Sequence, residues 1–304
     1  MKYTFLIAII IFQFTSVIAQ NNGRQLNLTV GETYSQVQIS KMNTQMELRG
    51  EEMTTSMELN GITNFTVKSA NDSSYILSAR FGKLAMIIKT NGQGVALSSE
   101  ESADQANPGN VMLQLLTSFD FNLELTRQGK VIAMDNVADL LTIAVNKTDK
   151  IEEAIKTAYL EQMKGTFSSD AIKEGIELST YIFPVNSDKN QNSWEVITQK
   201  TSGVGGTVTK KLEVVSENEK QLRLKYKGTL ITDKNKKMEM PSATISYDVF
   251  GQTSGTILID KKTGWIIEYT EDNKSSGTTY MTSAENGSID IPIKIAITST
   301  IKDK

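Results

Sequence analysis

Apolar and polar residues alternate with a period of two along much of the first part of the chain. The pattern is visible in residues 26–30, 53–67 and 75–81, and it is clearest in 119–125, where Phe and Leu alternate with Asp, Asn and Glu. This period places every second side chain on the same side of an extended backbone, so it predicts half-buried antiparallel strands. Gly129 then marks a turn into a further short strand.

The spacing of the apolar residues changes to that of a helix after residue 136. From Thr148 onward they recur every three or four positions, and Gly165 provides a stop signal. Shorter helices are expected on either side, at 137–145 and 169–180. The sequence therefore predicts a helical segment over residues 137–183, followed by a polar linker.

Strands resume at Trp194 and continue almost to the end of the chain. Alternation predicts them within residues 222–230, 243–249, 257–259, 265–269 and 289–297. Pro292 lies inside the last of these segments and has no N–H to donate to a ladder. We therefore expect that strand, or its start, to lie at a sheet edge.

Two parts of the chain resemble each other. Residues 65–81 align without gaps to residues 212–228, which places Asn71 on Asn218. An internal repeat would produce this match, and so would two unrelated hairpins with similar turn chemistry.

These patterns together predict an α+β fold that is mostly β. We expect two related antiparallel β-rich halves, residues 20–136 and 184–304, which form a half-barrel or curved sheets. The helical segment 137–183 would join them.

The first 19 residues have the features of a secretory signal peptide. Lys2 supplies a positive charge, residues 5–12 are apolar, and small residues lead to Ala19. We therefore expect an exported protein, periplasmic or extracellular, that does not span a membrane after cleavage. The chain contains no Cys, so we expect neither a lipid anchor attached through Cys nor a disulfide framework.

Charge and residue usage exclude several function classes. The formal net charge is −3, and no clustered basic stretch is present, so we expect no nucleic-acid partner. The absence of both His and Cys rules out Ser-His-Asp and Cys-His catalysis and imidazole or thiolate zinc sites. We expect a non-enzymatic protein without a cofactor or a metal, although an enzyme that uses Asp, Glu, Lys or Tyr stays open.

Methionine is concentrated in the first half of the chain. Its flexible, polarizable side chain suits an irregular core, and it also suits a cavity that accepts varied apolar ligands. The candidate residues for a hydrophobic ligand are Met42, Met46, Met57 and Met86, together with Ile155 and Tyr159 of the predicted helix.

Three phrases carry a resemblance to a known family: LTRQGKVIAM (125–134), LIDKKTGWIIEY (258–269) and FPVNSDKNQNSWEVITQ (183–199). With them the chain resembles an uncharacterised family of exported Gram-negative bacterial proteins, many of them lipoproteins, that is known as a domain of unknown function. The wider architecture is similar to that of periplasmic lipoprotein and lipid carriers, in which helices plug an incomplete β-barrel. The resemblance implies such a fold and no particular activity.

The function expected from the sequence is the binding of a hydrophobic or lipid-like small molecule in a groove between curved sheets and helices. The alternative is an interaction module with a filled core, which binds a protein or glycan partner in the periplasm or at the cell surface.

Overall fold

The computed structural model describes residues 24–101, 108–135, 142–143, 166–185, 191–240, 243–283 and 287–304. The predicted signal peptide, residues 1–19, lies outside these ranges. So does most of the predicted helical segment, including the helix expected from Thr148 to Gly165.

The described residues form a mostly β protein. The strands are β1 (Thr33–Leu48), β2 (Glu51–Ala70), β3 (Ser74–Thr90), β4 (Gln93–Ser98), β5 (Asp120–Thr126), β6 (Val131–Asp135), β7 (Ser193–Lys200), β8 (Gly206–Glu217), β9 (Gln221–Ile231), β10 (Met238–Met240), β11 (Ala243–Asp260), β12 (Ile266–Ser283) and β13 (Gly287–Asp303). The helices are α1 (Pro108–Thr117) and α2 (Ser169–Thr180). Within the described ranges, no helix is long and apolar enough to cross a membrane.

All of these strands belong to one open antiparallel sheet. Its order is β6, β5, β3, β2, β1, β13, β12, β11, β9, β8, β7, with β4 added on β3 and β10 added on β11. We expected two halves joined by a helical segment, but in the described residues the strands of both parts are joined directly through β1 and β13. Alternation predicts that a strand exists and which face it buries, and it does not identify the neighbouring strand.

The hairpins β2–β3 and β8–β9 have irregularities at matching positions. The register shifts between Val67 and Ser69 in the first hairpin and between Val214 and Ser216 in the second. These pairs coincide in the alignment of residues 65–81 with 212–228. A bulge bends and twists its strand, so both hairpins twist more strongly at the same point.

The turns of these hairpins also match. The Asn71 Oδ1 atom accepts the backbone N–H of Ser74 at 2.8 Å, and the Asn218 Oδ1 atom accepts that of Gln221 at 2.8 Å. In each turn the backbone N–H of the Asn also donates to the carbonyl of the same partner residue. Asn favours turns because its side chain can satisfy the backbone in this way.

One face of the sheet, which we call the core face, carries the main hydrophobic core. Helix α1 packs against β3 and β4, and α2 against β6 and β12. Leu113 and Leu116 of α1 and Ile172 and Ile176 of α2 are buried in the core. The opposite side of the sheet is called the outer face.

Trp265 connects the two parts of the chain within this core. Its ring lies 5.1 Å from that of Tyr34 in β1 and 5.7 Å from that of Phe65 in β2, and it is 3% exposed. The main core therefore forms across the β1–β13 junction, as one body rather than two.

Two expectations for individual segments need correction. The turn-forming residues of 98–110, with Asn-Pro-Gly near the end, predict a loop. Helix α1 nevertheless begins at Pro108, because a proline is well tolerated at the first position of a helix. Residues 243–249 and 257–259 are not separate strands, since β11 runs unbroken through Gly251 and Gly255.

The expectation for Pro292 is correct only for the start of its strand. Strand β13 lies in the middle of the sheet, but its pairing with β1 stops at Ile293. Pro292 is paired with Thr278 of β12 alone. The proline thus lies where β13 pairs with one neighbouring strand only, so the backbone N–H that proline lacks is not required for pairing with β1.

Candidate functional site

A second apolar cluster lies on the core face, apart from the main core. It consists of the buried residues Val249, Ile293 and Ile295, and the half-buried Met42, Met46 and Ile297 pack against it. We call Met42, Met46, Ile293, Ile295 and Ile297 the Met/Ile strip.

The strip follows from the register of β1 and β13. Met42 pairs with Ile297, and Met46 pairs with Ile293. Because side chains alternate between faces, every second residue of each strand reaches the same surface. Thr44, which pairs with Ile295, is the polar member of this row.

The sequence-derived ligand residues fall into three groups. Met42 and Met57 are directly opposite each other in the β1–β2 ladder, and Met46 lies further along the same face. Met86 is 2% exposed and belongs to the main core. Ile155 and Tyr159 lie outside the described residues.

A belt of polar side chains separates the strip from the main core on β1 and β13. We define the polar belt as Gln36, Gln38, Ser40 and Ser299. The hydroxyl groups of Ser40 and Ser299 are 2.9 Å apart, and the Gln38 Nε2 atom donates to the Ser40 hydroxyl at 3.2 Å. Ser179 of α2 donates to the Gln36 Oε1 atom at 2.9 Å.

The belt continues across the sheet as a buried charged network. Glu271 of β12 pairs with Ser299, and its carboxylate lies 3.2 Å from the Lys210 ammonium of β8. The hydroxyl of Tyr226 donates to Glu271 at 3.0 Å, and that of Tyr269 makes a short hydrogen bond to it. Lys210 also donates to the Tyr269 hydroxyl at 3.0 Å.

Burial and pairing act against each other in this network. Burial lowers the pKa of Lys210, and the negative charge of Glu271 opposes that effect. Burial alone would raise the pKa of Glu271, but the Lys210 ammonium and the tyrosine hydrogen bonds outweigh it and lower that pKa. Burial raises the pKa of both tyrosines, so they remain neutral donors.

The network around Glu271 is better suited to stabilising the fold than to transferring protons. A general acid near neutral pH needs a carboxyl with a raised pKa, and Glu271 is shifted in the opposite direction. Glu177 of α2 does have a pKa raised by burial. Its carboxylate accepts the backbone N–H of Val131 at 3.0 Å, which ties α2 to β6.

The sequence reasoning missed this network, although a signal was present. Lys210 lies two residues before the buried Leu212, and Glu271 lies two residues after the buried Tyr269. Residues two apart in a strand point to the same face, so both charged residues lie on the core face. A charged residue at a core-face position of an alternating strand indicates a buried partner. The identity of that partner is not available from the pattern, because Lys210 and Glu271 are far apart in the chain.

Comparison with known proteins gives a family and a fold. A protein-family model described as a family of unknown function (DUF6263) matches residues 72–266. No curated protein matches the chain significantly.

The solved structure of lipovitellin, determined for its lipid–protein interactions, is similar with a TM-score of 0.53 at 10% identity. The match covers 91% of this chain and 25% of the lipovitellin chain, so the chain spans a quarter of that protein's length. At this identity the likeness concerns the fold alone.

Two further solved structures also match over most of their length. An outer membrane channel from Pseudomonas putida F1 has a TM-score of 0.24 at 9% identity, and the match covers 93% of this chain and 98% of that chain. OccK5 (OpdH) of Pseudomonas aeruginosa has a TM-score of 0.25 at 4% identity and covers 90% and 99%. With such TM-scores these two likenesses support no inference.

Proposed function

The chain belongs to the DUF6263 family of unknown function, and from the geometry of its core face we propose that it binds a hydrophobic, lipid-like ligand. The ligand would lie along the Met/Ile strip and Met57. Its apolar part would cover side chains that are now half-buried.

The observation that carries this proposal is an apolar surface distinct from the filled main core. Met42, Met46 and Ile297 retain exposed area in a region where Ile293 and Ile295 are already buried. Covering apolar area stabilises a complex by about 25 cal/mol per Å². Methionine adapts to ligands of differing shape.

The polar belt would limit how far such a ligand extends. Ser40 and Ser299 cross the face between the strip and the main core. The Gln36 Nε2 atom is buried there without a hydrogen-bond partner among the described residues. An apolar chain would stop at this belt, because moving further would cover polar groups without satisfying them.

The fold likeness to lipovitellin is compatible with this role and contributes no residue to it. As the sequence predicts, we also propose that the protein is exported with cleavage of the signal peptide, residues 1–19. We further propose that its role is non-enzymatic. The network around Glu271 supports the latter, because its carboxylate is committed to one ammonium and two hydroxyl groups.

The proposal also includes a relationship between the two β-rich parts. The matching bulges at Val67 and Val214 and the matching turns at Asn71 and Asn218 support descent from one duplicated unit. Similar turn chemistry alone accounts for the matching turns. Unrelated hairpins would need a second coincidence to have a bulge at the same alignment position, so the bulges favour duplication.

The test is native mass spectrometry of the purified protein, with organic extraction of whatever copurifies. We expect a bound apolar molecule in the unmodified protein and its loss in Met46→Asp, which places a charge on the strip. Gln45→Asp is the matched control, because the adjacent residue points to the outer face. A Met42→Ser variant removes apolar area without adding charge and should weaken retention as well.

Two results would oppose the proposal. One is a protein that carries no apolar molecule and takes up none from mixed phospholipid vesicles. The other is equal retention by the wild type and by Met46→Asp, with melting curves showing that both are folded.

A further inference from the structure

The outer face of the sheet carries a long groove that the proposed function does not use. Two adjoining depressions of 640 and 540 Å³ open there and share Gln252 and Lys274. Together their linings include residues of β8, β9, β11, β12, β13 and β1. Six neighbouring strands span about 24 Å at the usual spacing.

The groove is positively charged although the whole chain is acidic. Its lining includes Lys211, Lys227, Lys274 and Lys294, against the single carboxylate of Asp272. The formal net charge of the chain is −3. A local excess of cations on an acidic protein marks a surface that attracts an anion.

Two of these lysines are direct neighbours on adjacent strands. Lys211 lies directly opposite Lys227 in the β8–β9 ladder, and like charges in that position destabilise a sheet. Within the described ranges none of the four groove lysines makes a direct ion pair, although Glu195 lies opposite Lys211 in the β7–β8 ladder. The neighbouring Lys225, on the same face, is paired with Glu213 at 3.0 Å.

The remaining lining combines hydrogen-bonding groups with one aromatic ring. Gln252 and Ser254 are exposed on the groove floor. Phe250, which borders the second depression, is 50% exposed. The face of an aromatic ring carries partial negative charge and attracts C–H groups.

We propose that this groove binds an acidic oligosaccharide, a linear sugar chain with carboxylate groups. The lysines would face its carboxylates, Gln252 and Ser254 would bond its hydroxyl groups, and Phe250 would pack against the C–H face of one ring. A recessed, elongated site whose lining carries an excess of cations suits a flexible linear polyanion better than a flat membrane. A single exposed ring in place of a series of stacking platforms disfavours single-stranded nucleic acid.

The test is isothermal titration calorimetry with oligogalacturonate and, as its neutral counterpart, the fully methyl-esterified oligomer. We expect the acid form to bind at least about tenfold more tightly than the ester, with an affinity that falls as salt rises. The double variant Lys211→Gln/Lys227→Gln should weaken binding about tenfold, and Phe250→Ala should weaken it without changing the salt dependence.

Lys89→Gln is the matched control, since it removes the same charge from an exposed outer-face position of β3 outside the groove, and it should leave the affinity unchanged. Equal binding of acid and ester, no binding of either, or an equal loss in Lys89→Gln would overturn the proposal. Tighter binding of a single-stranded oligonucleotide or of anionic vesicles would assign the groove to another partner and would also overturn it. The Met46→Asp variant should bind the oligosaccharide normally, so the experiments test the groove and the core-face site independently.

Discussion

The ring of Tyr226 packs directly over the backbone of Gly255 on the neighbouring strand. A β-carbon at Gly255 would lie 2.8 Å from the Tyr226 Cε1 atom and 1.9 Å from the carbonyl oxygen of Thr270. The missing side chain therefore makes the space in which the Tyr226 hydroxyl reaches Glu271.

We expect Gly255→Ala to destabilise the protein by about 3 kcal/mol, because a buried ring and a strand backbone must both shift. Chemical denaturation measures the change. Gly175→Ala in α2 is the control, since nothing lies within 4 Å of its new β-carbon. That variant should gain about 0.5–1 kcal/mol from helix propensity. Equal effects of the two substitutions would contradict the packing described here.

The negative charge of Glu271 stabilises the same network by compensating the buried Lys210 ammonium. Glu271→Gln leaves the Lys210 ammonium buried without its countercharge, which should cost about 3 kcal/mol of unfolding free energy. Glu268→Gln on the same strand is the comparison, because its ion pair with Lys302 is largely exposed. The comparison variant should change stability by less than about 1 kcal/mol.

The stability that Glu271 contributes depends on pH in a defined direction. Its pKa in the folded protein lies below the usual 4.5, so the unfolded chain binds a proton at a higher pH than the folded one. This contribution is complete above pH 4.5 and is lost as pH falls from there toward the folded-state pKa. The difference in unfolding free energy between wild type and Glu271→Gln should therefore shrink on acidification below that value. A constant difference down to pH 3 would be inconsistent with a lowered pKa.

Both Asn turns should contribute to stability through the same backbone contacts, and the Asn71 side chain also bonds the hydroxyl groups of Ser73 and Ser74. Asn71→Ala and Asn218→Ala each remove two side-chain acceptor contacts to backbone N–H groups. Each should cost about 1 kcal/mol, as measured by thermal unfolding. Asn43→Ala, at an exposed position of β1, should change stability by less than about 0.5 kcal/mol. A large cost at only one of the two turns would weaken the proposed duplication.

The sequence was a good guide to local structure. Alternation located most strands, and Gly129 marked a hairpin that the structure contains, with a positive φ angle of 90°. Glycine is favoured in that conformation, so the signal has a direct physical cause. Met42 and Met46 lie on one face because they are an even number of residues apart in β1, whereas Met57 joins them only through the pairing of β1 with β2.

Relationships between distant segments could not be obtained in this way. The pairing of β1 with β13 brings the two ends of the described chain together, and no local pattern encodes it. The contact of Lys210 with Glu271 depends on the strand order β8, β9, β11, β12 and on the gap at Gly255. Gly251 and Gly255 also concealed the full length of β11, because glycine weakens a strand signal even where it serves a close approach.

The most direct test of ligand binding on the core face is photo-crosslinking with a diazirine fatty acid, assigned to single residues by mass spectrometry. Neighbouring residues of a strand point to opposite faces, so the labelled positions identify the face. We predict saturable labelling of Met42, Met46, Ile293 and Ile297, suppressed by unlabelled fatty acid. Labelling of Asn43, Gln45, Lys294 and Ala296 instead, or labelling that does not saturate, would contradict the account.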